Sequence, residues 1–159
     1  MKACKTLLTG LAFALLAPWA LAAQPAGDTS TGTWKLNVAK STFGSESSPK
    51  GETRIYSVTP QGTHVVIETE AADGKSTKTD ATITYDGKPR PVKGNPDYDS
   101  AAATRTDRYE TKVDLIRKGK VIGTLLRLVS QDGKTMTVDM MTQKVDGTTE
   151  TAMSVYQRQ

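Results

Sequence analysis

The chain has 159 residues, of which 24% are charged and only 6% aromatic, with a formal net charge of +4. That length suits one domain after any targeting segment is removed. The charges are scattered, which excludes the clustered basic footprint of a nucleic-acid-binding protein. The single cysteine, Cys4, excludes a disulfide framework and a cysteine-built metal centre.

Residues 1–22 read as a signal peptide. Lys2 and Lys5 give a positive start, Leu7 to Leu16 is apolar apart from Thr9 and Gly10, and Ala20-Leu21-Ala22 fits a small-x-small cleavage site. The apolar stretch is short for a membrane span of about 20 residues and is followed by Pro18. Cys4 precedes the apolar region, so it does not fit a lipid anchor and leaves with the signal. The expected product is periplasmic or secreted, with no membrane span in the mature form. Taking two of the 21 basic residues away leaves 19 against 17 acidic ones, a nearly balanced surface. Residues 23–31 are small and polar and read as a flexible lead to a single domain over 32–159.

From Gly32 the chain alternates through Trp34 and Leu36, which predicts a first strand. Residues 38–50 are rich in Ser, Gly and Pro and predict a loop with one helical turn near Ala39-Lys40. Residues 53–59 and 63–71 form the next strand pair, and Val65, Ile67 and Thr69 share one face of the second. Asp73-Gly74 turns into residues 75–85, and Asp86-Gly87 turns again. Pro89 and Pro91 lack ladder donors, so residues 88–93 read as an edge or a loop. Residues 101–107 suggest another strand. Residues 109–117, 121–130, 134–144 and 148–158 then form a meander, punctuated by Lys118-Gly119, Asp132-Gly133 and Asp146-Gly147. Asp-Gly pairs tolerate the positive φ of tight turns.

No sustained helical period follows the signal. The pattern predicts an all-β fold, an antiparallel up-and-down meander closed into a barrel, because closure removes exposed edges. A β-sandwich is the alternative.

Gly32-Thr33-Trp34 at the opening and Val155-Tyr156-Gln157-Arg158 at the close resemble the calycin group, the lipocalins and fatty-acid-binding proteins. Tyr85-Asp86-Gly87-Lys88-Pro89, Asn95-Pro96-Asp97-Tyr98-Asp99 and the Asp132-Gly133-Lys134 hairpin also resemble small secreted bacterial proteins of lipocalin-like type. The resemblance implies a lipocalin-like barrel in which Trp34 packs across one end under Arg158, a structural closure. It implies a small apolar or amphipathic ligand and no activity. Fatty-acid-binding proteins often hold a carboxylate with Arg-x-Tyr on the last strand. Here Tyr156 is preceded two positions back by Ser154, so that clamp is incomplete.

No catalytic residue stands out, and we expect no enzyme and no cofactor. His64, the only histidine, shares a face with Glu68 and Glu70 and reads as a surface residue. Asp97-Tyr98-Asp99 offers oxygen ligands without a calcium-loop pattern, so no metal is expected. A ligand cavity would be lined by Val113, Leu115, Ile122, Leu126, Leu128, Met136, Val138, Met140, Met153 and Val155, with Tyr85, Tyr109 and Tyr156 as polar contacts. Methionine suits adaptable pockets. Arg127 lies inside Leu125-Leu126-Arg127-Leu128-Val129, where both faces look apolar. The favoured placement is outward; the alternative is an inward Arg127 that binds an anionic ligand, since a lone buried charge is costly and requires a partner. The competing function is a solid-cored module that binds an envelope protein through residues 89–99.

Overall fold

The structure is a computed structural model that describes residues 27–44, 47–143 and 147–159. The predicted signal peptide and Asp146 lie outside these residues. Ten antiparallel strands follow one another: β1 (Gly32–Leu36), β2 (Gly51–Thr59), β3 (Gly62–Glu70), β4 (Ser76–Ile83), β5 (Arg90–Lys93), β6 (Ser100–Arg105), β7 (Glu110–Arg117), β8 (Lys120–Val129), β9 (Thr135–Gln143) and β10 (Thr149–Arg158). Each pairs with the next, and β1 pairs with both β2 and β10, which closes the barrel and removes the sandwich alternative. A 3-10 turn, Val38–Lys40, is capped by Asn37, whose side chain accepts from the Lys40 N–H. Among the described residues no helix is long and apolar enough to cross a membrane.

Alternation decides which side chains enter the core. On β3, Thr63 and Val65 are buried while His64 and Glu68 lie on the outer face. Trp34, Met136, Val138 and Tyr156 are almost fully buried in the core. The closing strands are in register, with Trp34 opposite Arg158 and Leu36 opposite Tyr156.

The turns work differently from the sequence expectation. In the Asp73, Asp86 and Asp132 turns only the following glycine has positive φ. Each aspartate instead accepts from the backbone N–H of the lysine two residues on, at 3.0–3.1 Å, an Asx turn. Among the described residues, the pair in which both residues have positive φ is Lys118-Gly119.

The proline segment belongs to the wall. Residues 90–93 form β5, joined to β4 and β6 by two residue pairs on each side. Pro91 has no N–H to extend the ladder, and the wall is completed beyond it by a bridge between Asp86 and Thr104. The adjoining turn contains Gly94, at φ +74, where an added Cβ would lie 2.0 Å from the Lys78 carbonyl oxygen. Gly94→Ala should therefore lower stability by about 2 kcal/mol or more, combining left-handed strain with a backbone clash. Gly119→Ala, at φ +76 with open space around it, should cost only about 1 kcal/mol. Urea unfolding of the two variants checks this; equal losses would contradict the clash.

Candidate functional site

The meander's wall differs from its predicted lining at two strands. On β8, Arg127 faces inward with Leu125 and Val129, and is only 3% exposed. Leu126 and Leu128 lie half-buried on the outer face, opposite Lys112 and Glu110 of β7. A register shift between Leu115 and Ile116 explains how Ile122 still reaches the core, since it puts one extra residue on β8. On β10 the inward residues are Ala152, Ser154 and Tyr156, which places Met153 outside at 37% exposure. The favoured outward Arg127 is thus overturned, and the reason is that it has partners inside.

Those partners lie at the closed end. Arg127 Nη2 donates to Thr111 Oγ1 at 3.0 Å and to the Tyr85 hydroxyl oxygen at 3.2 Å. Its guanidinium stands 4.8 Å from the Tyr56 ring centre, a favourable cation–aromatic contact. Residues 27–31, expected as part of a flexible lead, lie across this end. Asp28 accepts hydrogen bonds from Tyr85, Thr63 and Ser30, and the Trp34 indole N–H donates to the Ser30 carbonyl at 2.6 Å. Arg158 lies 4.3 Å over the Trp34 ring and donates to the carbonyls of Thr29, Thr31 and Gly133.

The opposite end is open. A cleft of about 340 Å³ is lined by Leu36, Phe43, Met140 and Ala152, with Arg54 and Tyr156 among its polar residues. It shares Glu52, Arg54, Thr69 and Met140 with a second lobe of about 190 Å³ that reaches Tyr98 and Leu115. Deeper still, a largely apolar cavity of about 60 Å³ lies between Arg54 and Arg127, room for a few water molecules.

Glu52 and Arg54 are i and i+2 on β2, so both face inward. Arg54 Nε donates to Glu52 Oε1 at 2.6 Å, and the Tyr156 hydroxyl donates to the same oxygen at 2.7 Å. Thr69 donates to Glu52 Oε2 at 2.9 Å. The Arg54 guanidinium is 4.8 Å from the Tyr156 ring centre. Among the described residues its two terminal nitrogens donate to no side chain or carbonyl. Burial pushes the Glu52 carboxyl up, but the Arg54 charge and the three hydrogen bonds outweigh it and hold the group below its ordinary value. Burial pushes the Tyr156 hydroxyl well above the usual phenol range, so it stays a donor. Burial also raises Tyr98.

The predicted contacts therefore separate. Tyr156 and Met140 line the open cleft, while Arg127 and Tyr85 meet at the closed end. Met136 is wholly buried in the core. Tyr109 lies in the β6–β7 turn, outside the cavities, with Arg108 5.0 Å from its ring centre. Glu52 and Arg54 escaped the sequence reading, although their parity with Tyr56 and opposite to Thr53 was the available signal. On the outer wall His64 Nε2 is 3.1 Å from Asp80 Oδ2, and Ser57 is its cross-strand partner. His64 itself is paired on both sides in the β2–β3–β4 ladders. No group of three or more metal-ligating side chains occurs among the described residues.

Comparison with family models, curated proteins and solved structures finds no significant match to the chain.

Two buried carboxylates, Asp28 and Glu52, contribute to the acid sensitivity of the fold. Asp28 is raised by burial but brought below its ordinary 3.8 by hydrogen bonds from Ser30 and Tyr85 and by the Arg127 charge; Glu52 lies below its ordinary 4.5. A depressed folded-state pKa stabilises fully above the unfolded value and is lost as pH falls through the folded one. Urea unfolding between about pH 6 and pH 3 should show stability falling as pH drops past 4.5 and 3.8. Asp28→Asn with Glu52→Gln should flatten that slope; an unchanged slope would assign it elsewhere.

Proposed function

We propose that the protein is an exported, calycin-like carrier that takes a small amphipathic molecule at the open end of its barrel. The observation that carries this is the pairing of an apolar cleft with unused donors. Leu36, Phe43 and Met140 offer apolar wall, and the terminal nitrogens of Arg54 offer hydrogen bonds to an acceptor head group. The cleft volume of about 340 Å³ falls in the range of small-molecule sites. Glu52 offsets the Arg54 charge, so the empty site carries little net cost while a polar head still finds donors. The N-terminal sequence supports export, and the closed meander supports a calycin-like type.

The alternative, an envelope-protein module contacting its partner through residues 89–99, is less well supported. Part of that segment is used in the wall as β5, and its Asn95 and Tyr98 line the inner lobe.

Native mass spectrometry of protein purified without detergent, with lipid extraction of a separate sample of the same preparation, tests the proposal. The expected result is a bound amphipathic species and saturable binding of a fluorescent fatty-acid probe. Ala152→Trp, at the cleft wall, should weaken probe binding by about tenfold or more by filling the site. Absence of any bound species together with no probe binding refutes the carrier reading, as does binding indifferent to Ala152→Trp.

A further inference from the structure

The closed end contains more positive charge than its own wall can satisfy. Arg127 is 3% exposed and Arg105 has a side chain 26% exposed. Among the described residues neither forms an ion pair with a wall carboxylate; the one carboxylate they meet is Asp28, whose side chain is 8% exposed. Asp28 Oδ2 accepts from Thr63 Oγ1 at 3.0 Å and from the Tyr85 hydroxyl. Arg105 Nη2 lies 3.1 Å from the same oxygen. It is buried and out of line for a hydrogen bond, a donor with no acceptor. Asp28 Oδ1 accepts from the Ser30 N–H at 3.0 Å and the Ser30 hydroxyl at 2.6 Å. Arg127 reaches the group through Tyr85, whose ring also lies 3.9 Å under the Arg105 guanidinium.

The wall therefore contributes two hydroxyl donors and two guanidinium groups, preassembled on β3, β6, β8 and the turn after β4. The carboxylate comes from outside the barrel, on a segment that contains no strand or helix. That segment is fastened mainly through its backbone, by Trp34 to the Ser30 carbonyl and by Arg158 to the carbonyls of Thr29 and Thr31. Its side-chain anchors other than Asp28 are few: the Thr29 hydroxyl donates to the Arg108 carbonyl, and the Ser30 hydroxyl serves Asp28 itself.

We propose that the closed end is a carboxylate-binding site and that Asp28 is its tethered occupant. The site takes the carboxylate of a small monocarboxylic acid when Asp28 is absent, and residues 27–31 exclude such acids while Asp28 is in place. This is an autoinhibitory contact, because a tether holds its group at a local concentration on the order of millimolar, which a free ligand must exceed. The assignment is independent of the open cleft, which wild type and an Asp28 variant share.

The test compares full mature wild type with Asp28→Ala in sodium acetate, sodium chloride and the neutral isostere acetamide, at matched ionic strength. Thermal unfolding and the amide resonances of Ser30 and Thr63 are followed as acetate is added. Asp28→Ala should gain stability saturably in acetate, with an apparent Kd at least about tenfold below that of wild type. Chloride and acetamide should have no such effect, and adding Arg127→Gln to Asp28→Ala should abolish the acetate gain. If Asp28→Ala does not fold in chloride, its refolding yield in acetate relative to chloride gives the same readout. Acetate acting like chloride on Asp28→Ala, or stabilising wild type and variant alike, overturns the assignment.

Discussion

One guanidinium joins three parts of the chain that must meet for the barrel to close. Arg158 donates to Gly133 in the β8–β9 turn and to Thr29 and Thr31 ahead of β1, while its planar face covers Trp34. A lysine could not replace it, because a single ammonium lacks both the planar face and the divergent donors. The β1–β10 ladder, the seated residues 27–31 and the buried indole all depend on this junction. Everything inside the barrel is then enclosed from one side only.

That asymmetry organises the interior charge. Two arginines, Arg54 and Arg127, are buried as whole residues inside the β-barrel, where an unpaired cation is heavily penalised. The chain solves each case differently. Arg54 is neutralised by Glu52, two residues away on its own strand, and the pair is completed by Tyr156 and Thr69. Arg127 has no adjacent acid and relies on two tyrosines, Thr111 and a carboxylate beyond Tyr85. The first arrangement is local and leaves donors facing an open cleft. The second is assembled from distant segments and seals an end.

Much of the architecture was legible because it depends on local rules. Alternation and turn chemistry mark most of the strands, and the Gly-x-Trp opening with a closing arginine gives both ends of the seam. The short strand β5 was less legible because Pro91 removes the donor that a ladder normally advertises. Arg127 was misplaced for a different reason. Leu126 and Leu128 are apolar on the outer face, so hydrophobicity alone points the strand the wrong way. The deciding fact is a set of partners from four other segments, none visible in the local sequence. Glu52 and Arg54 were hidden likewise by Ile55, an apolar residue on the outer face between two inward charged or aromatic neighbours. Asp28 was unreadable in principle from composition, since a polar leader and a stopper have the same residues.

The seam between β1 and β10 also has a temporal meaning. Trp34 and Arg158 face each other across nearly the whole domain, so their contact has the largest loop-closure cost of any strand pair in the barrel. All other neighbouring strands are consecutive in the chain and can zip from their hairpins. Assembly of the sheet is therefore cheap until its last step, and that step waits for the C-terminal strand. Until it occurs, β1 and β10 present unpaired edges with apolar residues beside them. The chain's exposure to misassociation is concentrated in that interval, and its length is governed by how quickly the last ten residues find the first five.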